Sequence, residues 1–323
     1  MVGYGSIGKR HVQNLSKIPN IEIIVCTKQI INQRYPKKIK IIDSIEKSFV
    51  ENPDVCFITN ITTLHISTAI KFAERGVNLF IEKPLSNSSN QINQLVNLIK
   101  KKKLITQLGC QLRFHDGIKT IKKLISNGRI GKILSAHVEC GSYLPDWHPH
   151  EDYKRGYSAM DELGGGVILT CIHEIDYLYW FFGDVEKVFS MSGRYSDLDI
   201  SADDLSAIIM KFKNNVIAEV HLDYFQRPEF RSCKIIGTNG TIYWDSDTNI
   251  VKLYNIKQGK WKNMLKISNY ERNTIFKREI KHFLYCLKKK KFTINPVEKD
   301  GVKTLKIALA AIKSAKTDRV VRL

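Results

Sequence analysis

The sequence predicts an α/β protein in two domains, with a doubly wound parallel sheet over residues 1–114 and an α+β domain with a mostly antiparallel sheet over residues 115–323. Three observations predict it. A Gly-x-Gly-x-x-Gly at Gly3, Gly5 and Gly8 opens the chain, the spacing that lets a backbone turn tightly and approach a pyrophosphate at a helix N-terminus. Short apolar strands then alternate with helical stretches as far as Phe114, a pattern that calls for parallel pairing with right-handed crossovers. Beyond Phe114, runs of alternating polarity follow one another through turn residues such as Asn214-Asn215 and Asn239-Gly240, which suits antiparallel neighbours.

The elements follow in order. Residues 9–15 continue a helix from the glycine loop, and the β-branched run at 21–27 (IEIIVCT) reads as a strand. Next come KIKII (38–42), a short helix at 44–50, DVCFIT (54–59), a helix at 65–75 and VNLFIEKP (77–84). A helix at 90–102 and the strand LITQLGCQL close this Rossmann-like half, where the glycine loop occupies the place at which such sheets bind dinucleotides. Only Met1 and Val2 precede the loop, against about five or six residues in a typical strand. The reading therefore expects the functional protein to begin upstream of Met1, or this chain to be a weakened truncation. In the second half a helix through IKKLISNGRIG leads to seven strand-like runs, and a last helix at 301–315 is expected to pack back on the body.

Composition sets the class. A chain of 323 residues with 43% hydrophobic content is globular and ample for two cores. It shows no run long enough to span a bilayer and no signal-peptide pattern, so a cytoplasmic location without membrane association is expected. The seven cysteines are scattered through apolar runs with no Cys-x-x-Cys pair and read as buried free thiols. The formal charge of +19 would suit a polyanion, but the lysines are spread along the chain. Their tight clusters at 101–103 and 288–291 lie at helix ends without interleaved aromatics, so nucleic acid is not expected as a partner. A positive field still favours anionic cofactors and nucleotide-linked substrates.

Two stretches carry the chemistry. FIEKPLS places Lys83 just after a parallel strand, at the carboxyl end where such sheets bind ligands. LGGGVILTCIHEIDYLYWFFG sets a glycine cluster before a helix on which Leu169, His173, Asp176 and Trp180 share a face. Between the halves, residues 141–159 gather Tyr143, Trp147, His148, Tyr153, Arg155 and Tyr157, groups that can stack on and hydrogen-bond a sugar, with Arg155 suited to a phosphate or carboxylate. His148, His150, Glu151 and Asp152 match no common metal spacing, and no metal is expected.

Taken together, GYGSIGKRH, ITNITTLHISTAIKFAERGVNLFIEKP, RFHDGIKTIKKLISNGRIGKI, GGGVILTCIHEIDYLYWFFG and SAKTDRVVRL make the chain resemble, over nearly its whole length, the glucose-fructose oxidoreductase, inositol dehydrogenase and MocA family of nicotinamide-dependent oxidoreductases. The resemblance implies a cofactor site at Gly3, Gly5, Ser6, Ile7, Gly8, Thr27, Lys28, Thr59, Asn60, His65, Glu82 and Lys83, with Lys83 and His173 against the nicotinamide and Thr170 toward the substrate. It also implies a C-terminal sheet that joins copies into a homo-oligomer. His173 is suited to take the hydroxyl proton, and a partly desolvated Lys83 with a lowered pKa to hold the reacting oxygen. Pro84 would fix that backbone, a cis peptide being one way to do so. The family's Asp one turn before the histidine is replaced here by Leu169 or Thr170, so Asp176 either assists His173 or anchors the helix. The region that in NAD-specific sites ends in an acid reads Cys26-Thr27-Lys28-Gln29, so NAD or NADP is expected, with NADP tolerated. The expected substrate is a sugar, with a nucleotide-activated sugar suggested by the loop and the HEIDY stretch. A catalytically silent dinucleotide-binding sensor or assembly protein is the alternative.

Overall fold

The β-branched runs of the first hundred residues form a parallel sheet, and a segment from near the other end of the chain completes their core. The computed structural model describes residues 1–29 and 39–323, which divide into two units: Met1–Cys110 with Asn273–Val302, and Gln111–Arg272 with Lys303–Leu323.

In the first unit, α1 (Ser6–Leu15) leaves the glycine loop and β1 (Ile23–Cys26) pairs in parallel with β2 (Ile39–Ile42). Lys38, predicted to begin that second strand, lies outside the described residues. Helix α2 (Ile45–Val50) is capped by Ser44 and leads to β3 (Val55–Ile58); α3 (His65–Glu74) leads to β4 (Asn78–Glu82), and α4 (Ile92–Lys102) to β5 (Thr106–Gly109). Strands β3, β4 and β5 are parallel neighbours. Residues 1–3 join the two sets. Val2 bridges in parallel to Cys26 and to Ile58, with Val2 N donating to Phe57 O at 2.8 Å and Thr59 N donating to Val2 O at 2.8 Å. The resulting order, β2-β1-residue 2-β3-β4-β5, is that of the expected doubly wound sheet.

The second unit begins with α5 (Asp116–Ser126), capped by His115 accepting from Gly117 N at 3.1 Å. There follow β6 (Ile133–Gly141), the short α6 (Val167–Thr170), α7 (His173–Phe182), β7 (Val185–Gly193), β8 (Leu205–Phe212), β9 (Ile217–Asp223), β10 (Phe230–Gly237), β11 (Gly240–Asp245), β12 (Ile250–Asn255) and β13 (Lys260–Lys266). Helix α8 (Asn273–Lys289) belongs to the first unit, while α9 (Val302–Thr317) from Lys303 onward and β14 (Val321–Arg322) belong to the second. The nine-stranded sheet runs β13-β12-β11-β10-β6-β9-β8-β7-β14. Only the β6–β9 pairing is parallel, and every other is antiparallel, as the alternation predicts. Helix α7 lies against β6 and β9, burying Ile175, Tyr177 and Leu178.

Two features differ from the sequence reading. Residues 273–302, placed by that reading in the second domain, cluster with the first unit, because Ile280 and Phe283 of α8 enter its core beside Tyr4, Val12, Val25, Phe57 and Phe80. Phe283 meets Phe57 and Phe80 edge-on at 5.8 and 5.5 Å. The predicted single helix through Leu169 and His173 is broken at Cys171, which leaves helical geometry with φ −95° and ψ 31°. Leu169 therefore sits on α6, and His173 opens α7 rather than lying inside a longer helix.

Candidate active site

The glycine loop is shaped by what surrounds it. Gly3 has φ +96°, and a Cβ there would lie 2.5 Å from Asn60 N, so no other residue fits. Gly8 is equally tight, its hypothetical Cβ 2.6 Å from Gly3 O. Gly5, by contrast, has nothing within 4 Å of that position, and as the N-cap of α1 it offers no side-chain acceptor to the first turn. Gly5 and Ser6 are exposed and Ile7 half-buried. The N–H groups of that turn, at the positive end of a ten-residue helix, thus have no side-chain cap. Asn60 Oδ1 is buried without a hydrogen-bond partner among the described residues, while Asn60 Nδ2 donates to Thr68 Oγ1 at 3.0 Å. A clear anion cradle and an unanswered buried acceptor fit a dinucleotide.

The other residues expected at the cofactor divide into two kinds. Thr59 holds the loop from behind, its hydroxyl donating to Gly3 O at 2.9 Å. His65 sits between Pro84 O at 2.8 Å and Asn60 O at 3.0 Å, and burial keeps its pKa below the usual imidazole value. It is a neutral clamp between two backbone segments, donating to one carbonyl at a time. Glu82 is buried, with Oε1 2.6 Å from His11 Nε2 and Oε2 accepting from Lys83 N at 3.3 Å. Lys83 itself is half-buried just past the carboxyl end of β4, and the Lys83–Pro84 peptide is cis. At the end of β1, Thr27 Oγ1 accepts from Gln29 N at 3.1 Å and Lys28 is exposed.

In the second unit His173 is 5% exposed, and Gln111 Nε2 lies 3.1 Å from its Nε2, so that nitrogen accepts from the amide. Gln111 was not singled out from sequence; a glutamine just past a strand carries no motif. Asp176 does not assist His173 through a free carboxylate. Its oxygens receive Arg113 Nε at 2.8 Å and Arg113 Nη2 at 2.9 Å, with Thr304 Oγ1 at 3.3 Å, so it anchors α7 to the segment that carries Gln111. Thr170 is buried on α6.

The aromatic loop is gathered only in part. Trp147 donates to Ser142 Oγ at 2.7 Å and packs edge-on against Tyr224 at 5.5 Å. Tyr143 lies under the Arg227 guanidinium at 3.3 Å. Tyr153 Oη accepts from Asp199 N at 3.4 Å, and Tyr157 is half-buried. His148 is exposed, and Arg155, its side chain 88% exposed, lies 3.6 Å from Asp152. Among the described residues no group of three or more His, Cys, Asp or Glu could hold a metal.

One buried cluster carries no sequence signal at all. Beside His173, Glu174 is wholly buried with Oε1 2.7 Å from Arg231 Nε, and burial pushes its pKa up to about 8. Arg231 Nη2 also reaches Cys140 Sγ at 3.1 Å. A hydrogen bond from Cys171, with the charge of Arg231, outweighs burial and brings the Cys140 thiol down to about 6.

Comparison with known proteins gives the family. Residues 1–110 match the model of the oxidoreductase family with an NAD-binding Rossmann fold, and residues 118–243 match the GFO/IDH/MocA C-terminal domain. The chain is 27% identical to the uncharacterized oxidoreductase YrbE of Bacillus subtilis, over 76% of this chain and 73% of that protein. It is 25% identical to the myo-inositol 2-dehydrogenase of Thermotoga maritima, over 100% of this chain and 97% of that one. The WlbA dehydrogenase from Bordetella pertussis, solved with NADH and UDP-GlcNAcA, superposes with a TM-score of 0.82 at 18% identity, covering 100% of this chain and 97% of that one. With a dinucleotide cradle in one unit, the mostly antiparallel sheet in the other and family models matched across most of its length, the chain belongs to the GFO/IDH/MocA family of NAD-binding oxidoreductases.

Proposed function

We propose that the chain transfers a hydride between nicotinamide and a secondary hydroxyl or keto carbon of a sugar, with a nucleotide-activated sugar as the favoured substrate. The observation that carries the reading is the pairing, within one unit, of the open cradle at Gly5 with a lysine fixed at the carboxyl end of β4. Gly3, Gly5, Ser6, Ile7 and Gly8 would hold the pyrophosphate, Thr27 and Lys28 the adenosine ribose, and Asn60 an acceptor-seeking group of the dinucleotide. The bound nicotinamide supplies the hydride acceptor or donor. Lys83 hydrogen-bonds the reacting oxygen, and its backbone is held from both sides by Glu82 and by His65. His173 Nε2 accepts a hydrogen bond from Gln111, so that nitrogen can accept the hydroxyl proton when the amide gives way to substrate.

The nucleotide-sugar assignment rests on the loop. Tyr143 stacked on Arg227, and Trp147 packed on Tyr224, offer flat apolar faces beside polar atoms. Of the relatives named above, one is a myo-inositol 2-dehydrogenase and another was solved with UDP-GlcNAcA, which supports this substrate class. The open face of the nine-stranded sheet, where Ile209 is 49% and Ile217 45% exposed, is our choice for the surface joining copies of the chain. A cytoplasmic location goes with the reading, supported by seven buried free thiols.

A screen of nucleotide sugars, free sugars and polyols, followed by absorbance of the reduced cofactor, tests the function. Lys83→Ala and His173→Ala should each lower turnover by about a hundredfold or more, the scale of losing a positioned acid or base. A protein that binds NADH yet moves no deuterium from any substrate to nicotinamide would be a sensor instead.

A further inference from the structure

His11 is a buried polar side chain that none of the steps above uses. It lies on α1 with no exposure, its ring boxed by Phe57 at 5.6 Å, Phe80 at 5.2 Å and Phe276 at 6.2 Å. An apolar residue would pack there as well, and an imidazole in such surroundings is costly unless a partner answers it. The partner is Glu82, whose Oε1 lies 2.6 Å from His11 Nε2. The other carboxylate oxygen accepts the Lys83 backbone N–H at 3.3 Å. Gly109 closes the remaining side, since a Cβ there would stand 3.0 Å from the Glu82 carboxyl carbon. A buried carboxylate deprived of one donor is strongly destabilised in place, so Glu82 depends on His11 to stay where Lys83 can use it.

We propose that His11 is a positioning residue. It fixes the Glu82 carboxylate and, through the Lys83 N–H, the backbone that presents the Lys83 ammonium, so the helix that starts at the pyrophosphate cradle and the turn after β4 move as one piece. The proposal rests on the reading of Lys83 as the group that holds the reacting oxygen, and it adds a residue that touches neither cofactor nor substrate. His65, gripping Pro84 O at 2.8 Å, secures the other side of the same turn.

Hydrogen exchange followed by mass spectrometry on the cofactor-free protein tests the link without any turnover, using a peptide over residues 79–86 and a control peptide over α3. His11→Leu keeps the apolar packing and removes the donor; His11→Gln keeps a donor. In His11→Leu the Lys83 amide should exchange about tenfold faster or more, with the α3 peptide unchanged, and His11→Gln should return to within about threefold of the native protein. Turnover on the substrate found by the screen should follow, with kcat about tenfold down, KM and the NADH dissociation constant within about threefold, and recovery in His11→Gln. Unchanged exchange at Lys83 in His11→Leu would overturn the proposal, as would a Gln variant that behaves like the Leu variant. Should His11→Leu fail to fold, His11→Met, which also removes the donor and keeps the apolar packing, must show the same faster exchange, and its absence overturns the proposal equally. Lys83→Ala keeps the two readings apart: full turnover in that variant defeats the role of Lys83, while the exchange result still decides what His11 does.

Discussion

Replacing Asp176 with alanine separates an anchoring carboxylate from a catalytic one. Arg113 has no side-chain exposure and Asp176 only 1%, and the pair is bidentate at 2.8 and 2.9 Å. Removing the carboxylate takes the bidentate acceptor away from a buried guanidinium, which also lies 5.5 Å from the face of Trp180. Breaking a buried pair this way costs about 3–5 kcal/mol, a large share of the roughly 5–15 kcal/mol that holds a domain together. With about 2–4 °C per kcal/mol for a unit of this size, the melting temperature of Asp176→Ala should fall by about 10 °C, and its urea midpoint should fall with little change in slope. The double variant Arg113→Met with Asp176→Leu should recover most of that loss, because apolar replacement of a buried pair is close to neutral. Calorimetry and urea unfolding on the three proteins decide. If Asp176→Ala melts within about 2 °C of the native chain, a shift worth less than about 1 kcal/mol, and yet turns over a hundredfold more slowly, the anchoring argument is refuted and Asp176 belongs to the chemistry.

Three further outcomes follow from the same structure. No acid stands at Cys26-Thr27-Lys28-Gln29 to repel a ribose 2′-phosphate, so NADPH should bind within about tenfold of NADH, and Lys28→Glu should weaken NADPH far more than NADH in a fluorescence titration. Gly3→Ala must place a Cβ 2.5 Å from Asn60 N, whereas Gly76, also at positive φ with +79°, has open space around it. Gly76→Ala should therefore cost only the roughly 1–2 kcal/mol of left-handed strain, while Gly3→Ala should abolish NADH binding or folding. Glu174 keeps its proton in the folded state up to about pH 8, but releases it near the ordinary glutamate value when unfolded. Stability should therefore fall between about pH 5 and 6 by up to roughly 1.4 kcal/mol per pH unit relative to Glu174→Gln. Above about pH 6 the Cys140 thiolate pulls the other way, so equal urea midpoints for the two proteins at pH 5 and at pH 6 would rule this out.

Much of the fold was legible because its signals are local. The runs at 21–27, 54–59 and 77–84 each announce a strand by β-branched and aromatic residues, and the strands form at Ile23–Cys26, Val55–Ile58 and Asn78–Glu82. Alternation in SAIIMKF and VIAEVHLDY gave two antiparallel neighbours, with Leu205 opposite Asp223. What escaped was long-range. Nothing between 273 and 302 says that Ile280 and Phe283 will join the core of Phe57 and Phe80, because amphipathic spacing shows that a helix has a face and not which core will take it. The break at Cys171 escaped for the opposite reason: VILTCIHEIDYLYWFF satisfies helical periodicity throughout, and only tertiary placement of α6 ends the helix there.

The site was legible to a similar depth. Glycines reveal themselves because only they survive a Cβ clash such as that between Gly3 and Asn60, and Lys83 because a Lys-Pro after a parallel strand lies where ligands bind. The residues that hold these in place are invisible by the same logic. Arg113, Gln111, His11 and Glu174 act through partners 63, 62, 71 and 57 positions away, namely Asp176 for Arg113, His173 for Gln111, Glu82 for His11 and Arg231 for Glu174. A single sequence gives such a residue no signature, since histidine in a helix of apolar neighbours reads the same whether or not a carboxylate awaits it. Their burial nevertheless imposes a rule that can be read once the fold is known. A polar side chain that is fully enclosed must be answered, and following each answer from His11 to Glu82 to the Lys83 N–H leads to the group that chemistry requires to be still.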